Sequence, residues 1–283
     1  MDKLFRIGNF CFRILCDEDF AIPPNFLLFE TEREVSEYTY HIQFTDTLPF
    51  SDGNVIARRP DLIVSRTSAG ENRLLGIKGR TDFYATYSEI SNAEANILLS
   101  LDQIKNLSID PVFTSLFALE QRMIEKDSLI LHCAYIVYHG KAILFSAPSG
   151  TGKSTQADLW RQYRDSDIIN GDRALLRKTD NKWIACGWPV CGSSEICKCK
   201  DLPIHTIVML EQGKMNYAKK LSPVQAFAQL YGQITINQWN ADFVERAISN
   251  LEDLISLVPV YQLTCDISED AVSCLEHTLF TER

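Results

Sequence analysis

The chain has 283 residues, which exceeds the usual size of one domain, so one large domain or two smaller ones fit and we favour two. With 46% hydrophobic and 23% charged residues, the composition is that of a globular protein rather than a disordered or fibrous one. A net charge of −9 at pH 7 argues against nucleic-acid partners, which require a basic face. No apolar run approaches the ~20 residues of a membrane helix, and we expect a cytoplasmic protein without a membrane partner.

The cysteines do not predict a disulfide framework. They number nine, an odd count in a long chain without a secretion signal, so we expect reduced thiols that are mostly buried. Four of them, Cys186, Cys191, Cys197 and Cys199, lie close together as metal ligands would. Because they lack paired C-x-x-C spacing, we favour buried thiols over a zinc site.

Residues 1–108 are predicted to form a β-rich domain. Short β-type runs alternate there with turn signals, among them the Ser-Asp-Gly sequence at 51–53. The stretch 111–126 then has apolar residues at helical spacing and a proline at its start, which is typical of a helix that enters a new domain. We therefore expect a second domain over residues 109–283.

The second domain mixes strands with helices, which predicts an α/β fold. Strands are expected at 129–138, 142–145, 167–169, 174–178, 183–185, 206–210 and 261–264, and helices at about 153–163, 223–230, 241–257 and 269–280.

Within this domain, residues 142–160 read AILFSAPSGTGKSTQADLW, an apolar strand, a glycine loop and a helical pattern. This order predicts a phosphate-binding P-loop, because glycines let backbone N–H groups turn toward phosphate at the positive end of a helix. The Walker A pattern G-x-x-x-x-G-K-[ST] is met except at Ala147, so the loop must turn there without a positive φ. The predicted phosphate-binding residues are Ser149, Gly150, Thr151, Gly152, Lys153, Ser154 and Thr155.

The loop predicts that the chain binds a nucleoside triphosphate with Mg²⁺. Lys153 is expected to reach the β- and γ-phosphates, and the Ser154 hydroxyl to bind the metal. We favour ATP, while GTP and pyrophosphate fit the same pattern. Asp172 ends a short apolar run about 19 residues after Lys153, where its carboxylate is expected to bind Mg²⁺; a plain turn aspartate after Asn170-Gly171 is the alternative.

Other side chains could take part in chemistry. His132 lies on the strand that precedes the phosphate-loop strand and could contact the γ-phosphate, the metal or the acceptor, although a strand histidine is more often structural. Arg173 could neutralise phosphate charge or simply face solvent. The stretch 186–203 contains Glu195 and reads equally as a mobile substrate loop or as a surface connection.

Three motifs, LHCAYI, SAPSGTGKST and INGDR, follow one another within about 45 residues. This arrangement resembles the core of HPr kinase/phosphorylase and ATP-dependent phosphoenolpyruvate carboxykinase, and residues 128–280 resemble HPr-kinase-like proteins encoded near bacterial peptide-modification systems. The resemblance implies catalytic roles for His132, Lys153 and Asp172, and metal binding by Ser154 and Asp172. Members of this superfamily often form homo-oligomers, and no interface is legible in this sequence.

The sequence departs from the HPr kinases at two places. They carry two adjacent aspartates where this chain has Gly171-Asp172, so the usual general base is absent and Asp172, His132 or Glu195 would have to replace it. Their LEIRG-type signature has no counterpart either, which argues against HPr as the substrate.

The leading hypothesis is an HPr-kinase-like enzyme that uses ATP and Mg²⁺ to phosphorylate a hydroxyl of a peptide, a protein serine or a small metabolite. The β-rich domain is a candidate for recognition of that acceptor. A nucleotide-binding regulator without efficient transfer is the alternative, and a nucleotidase or phosphorylase that runs the reverse reaction is a third.

Overall fold

The computed structural model describes residues 1–32, 35–49 and 54–280, so the turn predicted at 51–53 lies outside the described residues. The chain divides into two compact units, Met1–Leu119 and Glu120–Arg283. Within the described ranges, no helix combines the length and the apolarity that a membrane crossing requires.

The first unit is built on one mixed β-sheet, in agreement with the predicted β-rich N-terminal half. Its described elements are β1 (Asp2–Ile7), β2 (Phe10–Cys16), α1 (Pro24–Leu27), β3 (Glu30–Thr31), β4 (Tyr38–Thr45), β5 (Asn54–Arg59), β6 (Leu62–Arg66), β7 (Glu71–Gly76), β8 (Phe83–Glu89), β9 (Glu94–Ser100), a 3-10 helix (Leu101–Ser108) and α2 (Asp110–Ser115). The strand order is β3-β1-β2-β4-β9-β8-β7-β6-β5. The β2–β4 and β4–β9 pairs are parallel and the others are antiparallel.

Helix α2 belongs to the first compact unit, which extends to Leu119, whereas the sequence predicts the domain boundary at 108/109. An aromatic cluster holds the helix there: the rings of Phe113 and Phe26 lie 4.8 Å apart, and those of Phe113 and Phe117 lie 5.3 Å apart. Buried aromatic side chains contribute large apolar areas, which explains why this segment packs with the strands that precede it.

The second unit has alternating strands and helices. Its described elements are α3 (Leu119–Glu125), β10 (Ser128–Tyr138), β11 (Lys141–Ser146), α4 (Lys153–Arg164), β12 (Asp167–Asn170), β13 (Arg173–Thr179), β14 (Lys182–Cys186), a 3-10 turn (Gly192–Ser194), β15 (Leu202–Gln212), β16 (Tyr217–Lys220), α5 (Pro223–Tyr231), α6 (Ala241–Leu257), β17 (Val260–Cys265) and α7 (Glu269–Phe280). This mixture of helices and strands agrees with the predicted α/β class.

The long strands β10 and β15 each pair with two sets of strands. Residues 128–132 of β10 pair with β13, and Leu202 and Pro203 of β15 pair with β14. The remaining residues of both strands join a run of strands in the order β12-β10-β11-β15-β17-β16. Since β12 and β11 are both antiparallel to β10, and β15 and β17 are parallel to β11, these four strands end at the same edge of the sheet. We call it the carboxyl edge.

Strand β11 is buried on both faces, as its uninterrupted apolar sequence requires. Ile143 and Phe145 belong to a core cluster with Trp160 of α4 and Leu275 of α7. Leu144 points to the opposite cluster, which includes side chains of α5 and α6. The strand is therefore fixed from both sides, and so is the loop that follows it.

Candidate functional site

The glycine loop, residues 147–152, joins β11 to α4 at the carboxyl edge. Gly150 and Gly152 have φ of +81° and +115°, which only glycine adopts without strain. A Cβ at either position would meet no atom within 4 Å, so backbone conformation alone requires glycine there. Ala147 is buried and does not adopt a positive φ, as the sequence analysis expected.

A polar pocket of about 280 Å³ opens in front of this loop. Its lining contains most of the residues that the sequence singled out, together with Gly171 and Ser193. Among the described residues, the lining comprises His132, Ser149, Gly150, Gly152, Lys153, Ser154, Thr155, Gly171, Asp172 and Ser193. Thr151 does not line the pocket, because its hydroxyl donates a hydrogen bond back to the carbonyl of Pro148 at 2.9 Å.

His132 reaches the pocket from β10, and Asp172 reaches it from the turn between β12 and β13. The His132 Nε2 atom lies 3.5 Å from Asp172 Oδ1, and both side chains are about one-quarter exposed. The histidine backbone is held at both ends: its N–H donates to Gln233 O at 2.9 Å and its carbonyl accepts from the Ser146 hydroxyl at 2.8 Å. The pair is thus positioned by β10 and by the last residue of β11.

Asn170 fixes the backbone around Asp172. This fully buried side chain accepts hydrogen bonds from the N–H groups of Asp172 and Arg173, each at 2.9 Å. Its amide donates to the carbonyls of Trp188 at 2.9 Å and Val190 at 3.1 Å. One asparagine therefore joins the turn that carries Asp172 to the start of the segment 187–201.

Lys153 lies folded against the loop. Its ammonium donates to the carbonyls of Ala147 at 3.0 Å and Pro148 at 3.4 Å, and the residue is 7% exposed. Burial lowers the pKa of this ammonium, while the negative charge of Asp172 acts in the opposite direction. A partly buried cation with loop carbonyls as its partners is placed to turn to an incoming anion.

The space beside Gly171 is filled by the 3-10 turn Gly192–Ser194. A Cβ at position 171 would lie 2.1 Å from Ser194 Oγ and 2.3 Å from Ser194 Cβ, which is closer than real Cβ contacts. Ser194 is held in place, since its hydroxyl donates to Cys191 O at 2.8 Å and accepts from the N–H of Ile196 at 3.3 Å. A side chain at position 171 is therefore excluded by packing.

A family profile matches the part of the chain that contains this pocket. The family is described as SynChlorMet cassette protein ScmC, and the match extends over residues 99–280. The chain belongs to the ScmC family. Every residue that lines the pocket lies inside the matched segment.

Comparison with solved structures finds similarity to the Hpr(Ser) kinase/phosphatase from Coxiella burnetii. Sequence identity is 13% and the TM-score is 0.31, with 54% of this chain and 93% of that chain covered. No curated protein matches the sequence.

Besides Thr151, two of the residues proposed from sequence lie outside the pocket lining of this ScmC-family chain. Glu195 is exposed and outside the lining, with a φ of +54°. Arg173 also lies outside the lining; its guanidinium contacts Asp172 Oδ2 at 3.2 Å and Thr235 Oγ1 at 3.3 Å. Arg173 therefore acts on the pocket through the Asp172 carboxylate.

The stretch 186–203 read equally as a mobile substrate loop or a surface connection, and the structure attaches its segment 187–201 to the sheet. Trp188, Val190 and Cys191 are buried. The N–H of Lys198 donates to Ile169 O at 2.9 Å, and its ammonium contacts Asp167.

Within the described part of the chain, no group of three or more histidine, cysteine or acidic side chains is arranged to hold a metal.

Replacement of Asn170 by alanine is expected to lower the free energy of unfolding on the order of 3 kcal/mol, because each buried polar group left without a partner costs ~1–3 kcal/mol. Urea denaturation followed by circular dichroism measures the loss. Asn250→Ala is the matched control: Asn250 is also buried, but its Nδ2 atom has no partner among the described residues. Equal losses in the two variants would contradict an anchoring role for Asn170.

Proposed function

We propose that this ScmC-family protein is an ATP- and Mg²⁺-dependent kinase that transfers the γ-phosphate to a hydroxyl of a peptide or a small metabolite. The observation that carries the proposal is the convergence of Lys153, Ser154, His132 and Asp172 on one pocket. Phosphate binding alone needs only the loop and its lysine. An imidazole and a carboxylate next to that loop are the groups that phosphoryl transfer adds.

The phosphate end of the nucleotide would lie against the glycine loop and the N-terminus of α4. The positive φ of Gly150 and Gly152 gives the loop the turn by which its backbone N–H groups would face phosphate oxygens. The Lys153 ammonium exchanges its loop carbonyls for the β- and γ-phosphates. A phosphate oxygen is the stronger partner because it carries a full negative charge.

The residues of the pocket fit Mg²⁺. The Ser154 hydroxyl and the Asp172 carboxylate are oxygen donors in the same lining, and Mg²⁺ typically binds one or two such protein groups together with water and phosphate oxygens. When bound, the ion neutralises charge on the transferred phosphate.

The transfer step forms a bond from the acceptor oxygen to the γ-phosphorus and breaks the bond from that phosphorus to the β–γ bridging oxygen, so that ADP leaves. His132 takes the acceptor proton. Its Nε2 atom faces Asp172 Oδ1 at 3.5 Å, so with Nε2–H directed at the carboxylate the other ring nitrogen carries the lone pair. Asp172 then stabilises the imidazolium that forms. His132, supported by Asp172, in this way takes the role of the general base, which Gly171 cannot supply.

A nucleotide-binding regulator without efficient transfer is the second candidate. The packing of Ser194 against Gly171 favours it, because the turn occupies the space where the resemblance to HPr kinases would place a second carboxylate. A regulator would bind ATP with Mg²⁺ and leave the γ-phosphate in place. Phosphorylase chemistry would instead consume or release inorganic phosphate.

Transfer of label from γ-labelled ATP distinguishes these functions. The wild type is incubated with Mg²⁺ and with pools of hydroxyl metabolites and serine-containing peptides, and ATP binding is measured in parallel by calorimetry. Lys153→Ala is expected to reduce both binding and transfer at least ~100-fold, since it removes a charged phosphate contact worth several kcal/mol. Lys182→Ala removes an exposed lysine of β14 outside the pocket and should leave both unchanged.

Transfer by the wild type that fails in Lys153→Ala supports the kinase. Tight ATP binding with no labelled product in any pool supports the regulator. Equal binding by the wild type and Lys153→Ala would contradict a nucleotide site at this loop.

A further inference from the structure

The carboxyl edge has a second side that the proposed chemistry does not use. The glycine loop follows β11, Asp172 follows β12 on one side, and the turns after β15 and β17 lie on the other side. Ligands of open α/β sheets bind in the crevice outside the carboxyl ends of the strands. A nucleotide whose γ-phosphate points to Asp172 must therefore extend its base toward the turns after β15 and β17.

Each of these two turns carries a large apolar side chain in solvent. Met215 follows β15 and is 80% exposed, and Ile267 follows β17 and is 77% exposed. A single exposed apolar side chain is ordinary on a protein surface. Here two of them stand next to one another in the strand order, on the side of the glycine loop opposite His132 and Asp172.

The two turns are joined by hydrogen bonds. The Asn216 side chain donates to Asp266 Oδ1 at 3.0 Å and accepts from the Asp266 N–H at 3.0 Å. The N–H of Gly213 donates to Cys265 O at 2.9 Å. Because Met215 precedes Asn216 and Ile267 follows Asp266, these bonds hold the backbones that carry both apolar side chains at a fixed separation.

Both turns are also attached to the phosphate-binding elements. The Gln212 side chain at the end of β15 donates to the carbonyl of Thr151 in the glycine loop at 3.3 Å. Gln156, buried in the first turns of α4, donates to Cys265 Sγ at 3.2 Å and to Asp266 O at 3.5 Å. Gln212 and Gln156 therefore fix the positions of Met215 and Ile267 relative to the glycine loop.

We propose that Met215 and Ile267 form an apolar clamp for the nucleobase of a nucleoside triphosphate whose phosphates bind the glycine loop. The inference rests on the proposed function and deepens it, because it selects a nucleoside triphosphate over pyrophosphate or another polyphosphate as the phosphate donor. The flat faces of a base match aliphatic side chains on either side, and its burial removes both side chains from water.

The test compares two probes, ATP and inorganic tripolyphosphate, each with Mg²⁺ and each measured by calorimetry. The double variant Met215→Ser/Ile267→Ser is expected to bind ATP about tenfold more weakly, because it loses apolar contact with the base. Its affinity for tripolyphosphate should remain that of the wild type. Val224→Ser is the matched control, since Val224 is also 80% exposed but lies on α5, away from the carboxyl edge.

Each outcome decides the inference. Selective loss of ATP binding in the double variant supports the clamp. Unchanged ATP binding in that variant overturns it, and so does wild-type binding of tripolyphosphate as tight as that of ATP; in both cases the phosphate site and the proposed function stand. A wild type that binds neither probe overturns the proposed function and the clamp together.

Discussion

Asp172→Asn is expected to lower the rate of phosphoryl transfer about 10²–10⁴-fold, the range over which positioned acid–base groups act. The substitution keeps the shape of the side chain but removes the charge that faces His132 Nε2 at 3.5 Å and Arg173 Nε at 3.2 Å. It also removes the negative charge from one of the two side chains proposed to bind Mg²⁺. Steady-state kinetics with saturating ATP should place the loss in kcat.

The lower transfer rate of Asp172→Asn should persist across the neutral pH range. Burial opposes ionisation of Asp172, but the hydrogen bond from His132 and the charge of Arg173 outweigh it and hold the pKa below its ordinary value of 3.8. The wild-type carboxylate is therefore charged from about pH 5 upward. A fall in the transfer rate with decreasing pH above that value would not come from protonation of Asp172. Because a depressed pKa also stabilises the folded state above the unfolded pKa, the rates are compared where circular dichroism shows both proteins folded.

Asp158→Asn is the matched control for this prediction. Asp158 lies on the exposed face of α4, where its carboxylate pairs with Arg161 at 2.7 Å and does not line the pocket. The same chemical change there should leave the rate within about twofold of the wild type, as surface ion pairs contribute little. An Asp172→Asn variant as active as this control would remove Asp172 from the mechanism.

Periodicity predicted most of the second unit because its helices and strands have one apolar face or a continuous apolar run. Helix α6 begins after Asn240, whose side chain accepts from the N–H of Phe243 at 3.2 Å, and the structure has it over the predicted residues 241–257. Strand β16 escaped prediction because its sequence YAKK is mostly exposed and has no apolar alternation. It forms only because β17 offers a free edge for pairing.

The predicted helix at 111–126 is two helices in the structure. Ala118 has a φ of +45° between α2 and α3, although alanine is a strong helix former. The residue is buried, and its neighbour Phe117 packs against Phe113 and Phe26. Tertiary packing of these rings overrides the local preference, and the sequence carries no local signal for the break.

The residues of the candidate site also fall into those that local sequence patterns predict and those that long-range contacts place. The glycine loop could be found from sequence because its backbone needs glycine at two positions, and His132 and Asp172 could be found from their order along the chain. Ser193 belongs to a stretch that read equally as a substrate loop or a surface connection, and its place in the pocket depends on long-range bonds such as those from Asn170 to Trp188 and Val190. A long-range contact of this kind has no local pattern, although an asparagine two residues before Asp172 is typical of a side chain that holds a turn.

Gly171→Ala is expected to lower the free energy of unfolding by about 1–3 kcal/mol, the usual cost of an inserted methyl group in a packed site. The new Cβ would lie 2.1 Å from Ser194 Oγ, and Ser194 cannot simply rotate away because its hydroxyl is bonded to Cys191 O. Urea denaturation measures the loss. Since Gly171 does not have a positive φ, the cost comes from contact and not from the backbone.

A second substitution separates contact from other causes. Ser194→Gly removes both atoms that the Cβ would meet, so Gly171→Ala in that background should cost less than in the wild type, and the double-mutant cycle gives the coupling directly. Equal costs in both backgrounds would show that Ser194 does not close the position. If the coupling is present, an aspartate at 171 can be accommodated only together with Ser194→Gly. For the proposed kinase, the proton acceptor would then come from His132 and Asp172, because the 3-10 turn that carries Ser194 fills the space beside Gly171.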